Sequence, residues 1–235
     1  MTHIVAIHQP NFFPWLGYFD KIRRADTFVF LDAVDYPRSG SKGMGSWTNR
    51  VRIDVQGQPH WINCPLQRLG ANHPINAYQI DDRQPWRKKL LKTLRASYGR
   101  SPNFDDAFAL LEPLIADGPA GLADFNIAAI KTLAGHLGCQ ATFVRQSEMA
   151  VEGKATALLI ALVKSAGGDA YLAGGGADGY QEDGLFAEKG VDLVYQNFSP
   201  APYGPAESYL PGLSVIDYLM RDGSPLSARE QAGDQ

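Results

Sequence analysis

The residues best suited to chemistry crowd into the first fifty positions. His8 leads the run His8-Gln9-Pro10-Asn11-Phe12-Phe13-Pro14-Trp15-Leu16-Gly17-Tyr18. Imidazole titrates near neutrality, so His8 can serve as a general base or, once protonated, hold a phosphate. Its two nitrogens can equally do no more than tie the loop together. Gln9 and Asn11 add amide groups able to orient a sugar hydroxyl or a carboxylate, while Asn11 is also a natural cap for the next turn. Trp15 and Tyr18 are three apart, so a helical turn places them on one face, as a stacking wall for a sugar or base or as core. Gly17 between them would let a ligand or a strand approach closely.

Asn49 and Arg50 follow a loop, residues 36–46, that holds four glycines or prolines, three serines, Arg38 and Lys42. An arginine fork bonds both oxygens of a phosphate or carboxylate, so Arg50, with Lys42 nearby, is a candidate for an anionic ligand as well as an ordinary surface cation. Further on, Gly174-Gly175-Gly176-Ala177-Asp178-Gly179-Tyr180 would expose backbone N–H groups able to cradle an anion, with Asp178 and Tyr180 as acid, base or hydroxyl. It is equally a plain tight connection, and it lacks the Lys-Ser/Thr of a phosphate-binding P-loop. Asp32 and Asp35 could grip a diol or a divalent ion, but no third ligand stands at recognisable spacing. Ser214 and Asp217, three apart, have the spacing of a capping box.

These residues need elements to position them. Residues 4–7 and 27–31 have the apolar character of buried strands around a short helix, with Pro14 near that helix's first turn. Residues 47–55 and 60–65 flank Gln56-Gly57-Gln58, a hairpin signal. A weak strand is expected over 75–80. Helices are expected over 84–98, 105–115, 122–137, 154–166, 185–189 and 214–221, and strands over 141–145, 169–173 and 191–198. Strands alternating with helices predict an α/β fold, a mostly parallel Rossmann-like sheet with helices on both faces and a small β-hairpin insertion. Residues 1–223 should form one domain, followed by a flexible tail from 224.

In such sheets ligands bind at the carboxyl ends of the strands, which is where His8, Asp32 and Gly174 would fall. A formal charge of −3 and a pI near 5.9 argue against a nucleic-acid binder. The basic run Arg87-Lys88-Lys89 with Lys92 and Arg95 fits the solvated face of a helix. No apolar run is long enough to span a bilayer and no leader is evident, so a cytoplasmic protein without membrane partners is expected. Cys64 and Cys139 show no metal-ligand pattern and are expected as buried thiols.

Several blocks together resemble the WbqC-like protein family: the run His8 to Ile22, Thr48-Asn49-Arg50, the segment Tyr171-Leu172-Ala173-Gly174 through Tyr180, and the closing Leu213-Ser214-Val215-Ile216-Asp217. The resemblance implies a bacterial protein encoded among surface-polysaccharide or natural-product genes. It also implies a part in modifying nucleotide-linked amino sugars with an acyl or aminoacyl group. Where the family usually has Tyr-Leu-Ser-Gly this chain has Ala173, so no hydroxyl there is essential. The opening is also similar to adenylate-forming enzymes of the pantothenate-synthetase type, which would bring ATP as cofactor. Trp15-Leu16-Gly17-Tyr18 stands where those enzymes carry two histidines, and it has neither.

The expectation is therefore a transferase or amide-forming ligase, with His8, Asn49 and Arg50 catalytic. Gln9, Asn11, Trp15, Gly17, Tyr18, Lys42, Gly174, Asp178 and Tyr180 would bind the small-molecule substrate, a nucleotide sugar or amino acid. No metal is assigned, and a homodimer is left open. The rival expectation is a non-catalytic module that binds a small ligand or carbohydrate beside a neighbouring transferase.

Overall fold

A computed structural model describes residues 1–37, 46–70, 72–174, 182–204 and 209–226. Five strands make one parallel sheet: β1 (Ile4–His8), β2 (Thr27–Phe30), β5 (Thr142–Arg145), β6 (Ala170–Ala173) and β7 (Asp192–Tyr195). Their order is β5-β2-β1-β6-β7, so the chain builds one half outward from β1, then returns to build the other half from β6. β1 and β6 are thus adjacent at the point where the winding direction reverses.

Side chains alternate across β1. Ala6 faces a core that includes Phe28 and Phe30 of β2, Phe19 and Ile22 of α1 (Leu16–Arg23) and Ile130 and Leu133 of α4 (Leu122–His136). Val5 and Ile7 face the other layer, with Val163 of α5 (Ala155–Ser165) and Phe186 of α6 (Asp183–Glu188). Helices therefore cover both faces, which is why the central strands are apolar on both sides. α2 (Trp86–Tyr98), α3 (Phe104–Ala116) and α7 (Val215–Arg221) complete the helices.

The hairpin is β3 (Arg50–Val55) and β4 (Gln58–Asn63), antiparallel, with Gln56 and Gly57 both at positive φ (55° and 78°) as a type I′ turn needs. It starts later than expected, because residues 47–49 form a turn: Asn49 N–H donates to the Ser46 carbonyl. The weak strand expected over 75–80 is corrected more fully. Ile75–Ala77 is one 3-10 turn, since Ile75 and Asn76 give their N–H groups to Val34 and Asp32 in a loop rather than to a ladder. Pro14 lies just before the α1 cap residue Trp15, not inside the first turn.

Ser214 caps α7 as expected, accepting from Ile216 N–H at 3.2 Å. The capping box does not close, because Asp217 turns away to accept from Tyr98 Oη at 2.9 Å and Arg221 Nε at 3.0 Å. Both cysteines are buried and free, and burial pushes each thiol up to about 12. Residues 224–226 are held: Ser224 O accepts from Tyr218 Oη, and Leu226 is buried with its N–H on Leu137 O. Among the described residues no helix is long and apolar enough to cross a membrane.

Candidate functional site at the ends of the central strands

The loop after β1 is a rigid platform. Phe12 and Phe13 turn wholly inward, against each other, Trp86 and Phe125. Phe13 does so with φ at 40°, a conformation that costs energy in a bulky residue and is held only when its surroundings demand it. Three clamps fix the loop. The Ser214 hydroxyl donates to Phe13 O at 2.6 Å, and Phe12 N–H donates to Trp47 O at 2.9 Å. The buried Asn126 amide gives one hydrogen to Pro10 O and one to Thr48 O, at 2.9 and 2.7 Å. With its aromatic pair buried, the loop can only present His8, Gln9, Asn11 and Trp15 outward.

His8 caps the end of β1, half-buried, its ring edge-on to Tyr18 at 4.8 Å. Nδ1 lies 3.0 Å from Gln9 O, and a carbonyl only accepts, so Nδ1 carries the proton and Nε2 keeps a lone pair. Desolvation first, and the charge of Lys21 second, push the imidazole down to about 4, with the Gln9 carbonyl acting the other way. The ring is neutral at pH 7. Of its two expected roles, that geometry suits a proton acceptor, and the phosphate-holding cation has to come from elsewhere.

It comes from the hairpin. A cavity of about 400 Å³ opens beside His8, lined by Asn11, Phe12, Pro14, Trp15, Trp47, Arg52 and Gly212. Arg50 and Arg52 are two apart on β3 and so share a face, across from Trp61 on β4. The Arg50 guanidinium stacks 4.3 Å from the Trp61 ring and that of Arg52 5.7 Å from it, while Trp47 packs on Trp61 at 5.2 Å. Both Nε atoms are buried without a hydrogen-bond partner, and neither arginine has an ion-pair partner among the described residues. Two other cavities of similar volume exist. One, about 420 Å³, runs beside α1, where Asp20, Arg23 and Arg24 already pair with one another; the other, about 390 Å³, lies on the far side of Trp86.

The remaining sequence candidates divide. Trp15 and Trp47 are large exposed aromatics, at 38% and 39%. Trp15 lies over Gly17, where a Cβ would fall 2.4 Å from the indole; the space at Gly17 is therefore filled by its own neighbour. Tyr18 is buried, its hydroxyl donating to Gln9 O at 2.9 Å, so it and Trp15 do not form one wall. Asn49 is committed at both ends of its amide, accepting from Tyr36 Oη at 2.8 Å and donating to Cys64 O at 3.1 Å. Asp32 is likewise spent, on Arg145 Nε and on the N–H and hydroxyl of Ser147. Asp35 is exposed. Gly174 directly follows β6. Arg38, Lys42, Asp178 and Tyr180 lie outside the described residues.

Three partners were not singled out from sequence. Arg52 was legible, because period two puts it on the Arg50 face. Trp47 had only its aromatic type as a signal. Lys21 lies on α1, whose residues 16–22 are all buried, and nothing in its spacing marked it.

The model of the WbqC-like protein family matches residues 9–227, nearly the whole chain. The chain belongs to the WbqC-like protein family. Every clamp and site residue named above except His8 falls inside the matched span, and His8 immediately precedes it. Among curated proteins, this WbqC-like chain is similar to the uncharacterized protein Rv1507c of Mycobacterium tuberculosis (strain ATCC 25618 / H37Rv), 25% identical over 227 residues that cover 94% of each chain. No solved structure matches it.

Proposed function

We propose that the protein is a group-transfer enzyme of bacterial surface-polysaccharide or related natural-product biosynthesis. It acylates or aminoacylates the amine of a nucleotide-linked sugar in the cleft between the β1 loop and the hairpin. The observation that carries this reading is a pair of arginines, Arg50 and Arg52, whose buried Nε atoms have no hydrogen-bond partner and which meet no carboxylate among the described residues, together with a neutral histidine with a bare Nε2. A buried N–H without an acceptor is costly, and an anionic ligand would complete both. The Trp15 and Trp47 rings offer faces for a sugar or base.

In the reaction, the sugar amine attacks the carbonyl of an activated acyl donor. The C–N bond forms, the bond to the donor's leaving group breaks, and His8 Nε2 takes the proton released from nitrogen. Arg52 and Arg50 hold the ligand's phosphates, and Asn49 positions Arg50 by fixing the turn before β3. The bound anion opposes the charge of Lys21 and raises the basicity of His8 as it arrives.

One observation favours the rival, a binding module without turnover: a ring held down to about 4 is a weak base and a good hydrogen-bond acceptor. Incubation with nucleotide-linked amino sugars and acyl donors, with and without ATP, followed by mass spectrometry, separates the two. An acyl mass increment that disappears in folded His8→Ala supports the enzyme. Saturable binding with no turnover in any mixture supports the module.

A further inference from the structure

Six charged side chains are buried among the described residues, and five have a partner. Asp20 pairs with Arg23, Asp32 with Arg145, Asp54 and Asp217 with Arg221, and Asp81 with Arg83. The sixth is Lys21. It is 3% exposed, its Nζ donates to Ile7 O at 2.9 Å and stands 5.5 Å from the Tyr171 ring, and no carboxylate meets it among the described residues. A carbonyl uses one of the ammonium's three donors and leaves its charge uncompensated.

Its place in the fold is as telling as its isolation. Ile7 is the penultimate residue of β1 and Tyr171 lies in β6, the two strands at which the winding reverses, where α/β sheets open to ligands. Gly174, the first residue beyond β6, lies beside the ammonium: a Cβ at this position would stand in van der Waals contact, 4.0 Å, with both Lys21 Nζ and Gln196 Oε1.

We propose that Lys21 is the anchor of an oxyanion subsite between the ends of β1 and β6, separate from Arg50 and Arg52 and close enough to His8 for its charge to act on the imidazole. It takes a phosphate or carboxylate oxygen on the free N–H groups of its ammonium, on the side where Gly174 carries no side chain. This goes beyond the group-transfer reading and does not depend on it. Burial lowers the amine to about 7, so the free protein carries only part of a charge there at neutrality, and an arriving anion completes its protonation. The titratable groups around it are His8 on β1, Tyr171 on β6, and Tyr18 and Asp20 on α1, with the neutral Gln196 from the end of β7. His8 is pushed down to about 4 and Tyr171 up to about 12, leaving Lys21 to exchange the proton near pH 7.

Sulfate is the probe, because it does not titrate in this range, and acetate is run beside it to separate phosphate-like from carboxylate recognition. Calorimetry on the full chain at pH 7, in two buffers of different ionisation enthalpy, should show saturable binding of at least one anion with uptake of about half a proton. Affinity should fall as pH rises above 7. Lys21→Met, shown folded by circular dichroism, should lose about tenfold or more in affinity and all of the proton uptake. Lys21→Arg should keep the binding and lose the uptake, since a guanidinium stays charged. Gly174→Ala should weaken binding without unfolding the chain. Proton-linked binding that survives Lys21→Met overturns the proposal, as does the absence of any proton-linked binding in the unmodified protein. Anion binding that is lost in Arg52→Ala but unchanged in Lys21→Met would leave the arginine cleft standing and remove this subsite alone.

Discussion

Two groups of charges in this molecule are handled in opposite ways. Around the start of α7, Asp217 accepts from Tyr98 and Arg221, Arg221 also bridges to Asp54, and Asp54 accepts from the Gly57 N–H. Around the end of β1, Arg50, Arg52 and Lys21 carry charge with no carboxylate among the described residues. The first arrangement is what a fold requires when it buries charge for its own sake, because each ion's desolvation is offset by a partner. The second makes physical sense if the partner arrives from outside. Both lie against the same hairpin, the paired set at the buried Asp54 and the two arginines at half-buried positions open to a ligand.

Removing a partner from the paired set should have the largest effect. Asp217→Ala takes the shared acceptor away from Tyr98 Oη and Arg221 Nε in a buried network and should cost about 3–5 kcal/mol of stability by urea denaturation. Ligand affinity of the folded protein should be unchanged. Lys21→Met should act in the reverse direction on stability. Unfolded lysine keeps its proton to about 10.4, whereas folded Lys21 loses it near 7, so the unfolded chain binds more protons between those values. The unmodified protein therefore gains stability from this group as pH rises from 7, on the order of a few kcal/mol, and the variant lacks that rise. Thermal melts at pH 6 should show the methionine variant at its greatest relative advantage. His8 contributes with the same sign between about pH 4 and 6.5, and His8→Gln should flatten that window.

Arg52→Ala should change stability little, yet cost about 1.5–3 kcal/mol in binding an anionic ligand, roughly 10- to 100-fold in Kd by calorimetry. The smallest expected effect is at the clamp. Ser214→Ala removes both the α7 cap and the bond to Phe13 O, and should cost about 1–2 kcal/mol with a modest loss of ligand affinity as the β1 loop loosens.

Much of the scaffold was legible from local pattern, because period and punctuation are local. The apolar run of residues 4–7, the helix stripe of residues 84–98 and the Gln56-Gly57 turn each announce their element. The strand order is not local: it follows from which faces β1 and β6 bury. The expected strand over 75–80 failed for the same reason, since its alternation was overridden by loop partners on Val34 and Asp32. At the site, His8 and Arg50 were identified by type and position, and Arg52 was missed although strand periodicity places it on the Arg50 face. Lys21 is harder to see. A lysine reads as surface until the tertiary structure shows it 3% exposed with no carboxylate partner among the described residues. The capping-box spacing of Ser214 and Asp217 shows the converse: correct spacing lost to a tertiary partner, Tyr98, and to the i+4 neighbour Arg221.

The central claim is that the unpaired cations at the end of β1 await an anionic ligand. The most direct test is a thermal-shift titration of the full chain with nucleotide-linked amino sugars, run in parallel on Arg52→Ala and Asp217→Asn. The account predicts saturable stabilisation of the unmodified protein, about 2.7 kcal/mol at a hundredfold excess over Kd. The increment should persist in a destabilised but folded Asp217→Asn and be largely lost in Arg52→Ala. Equal stabilisation of the unmodified protein and Arg52→Ala would contradict it.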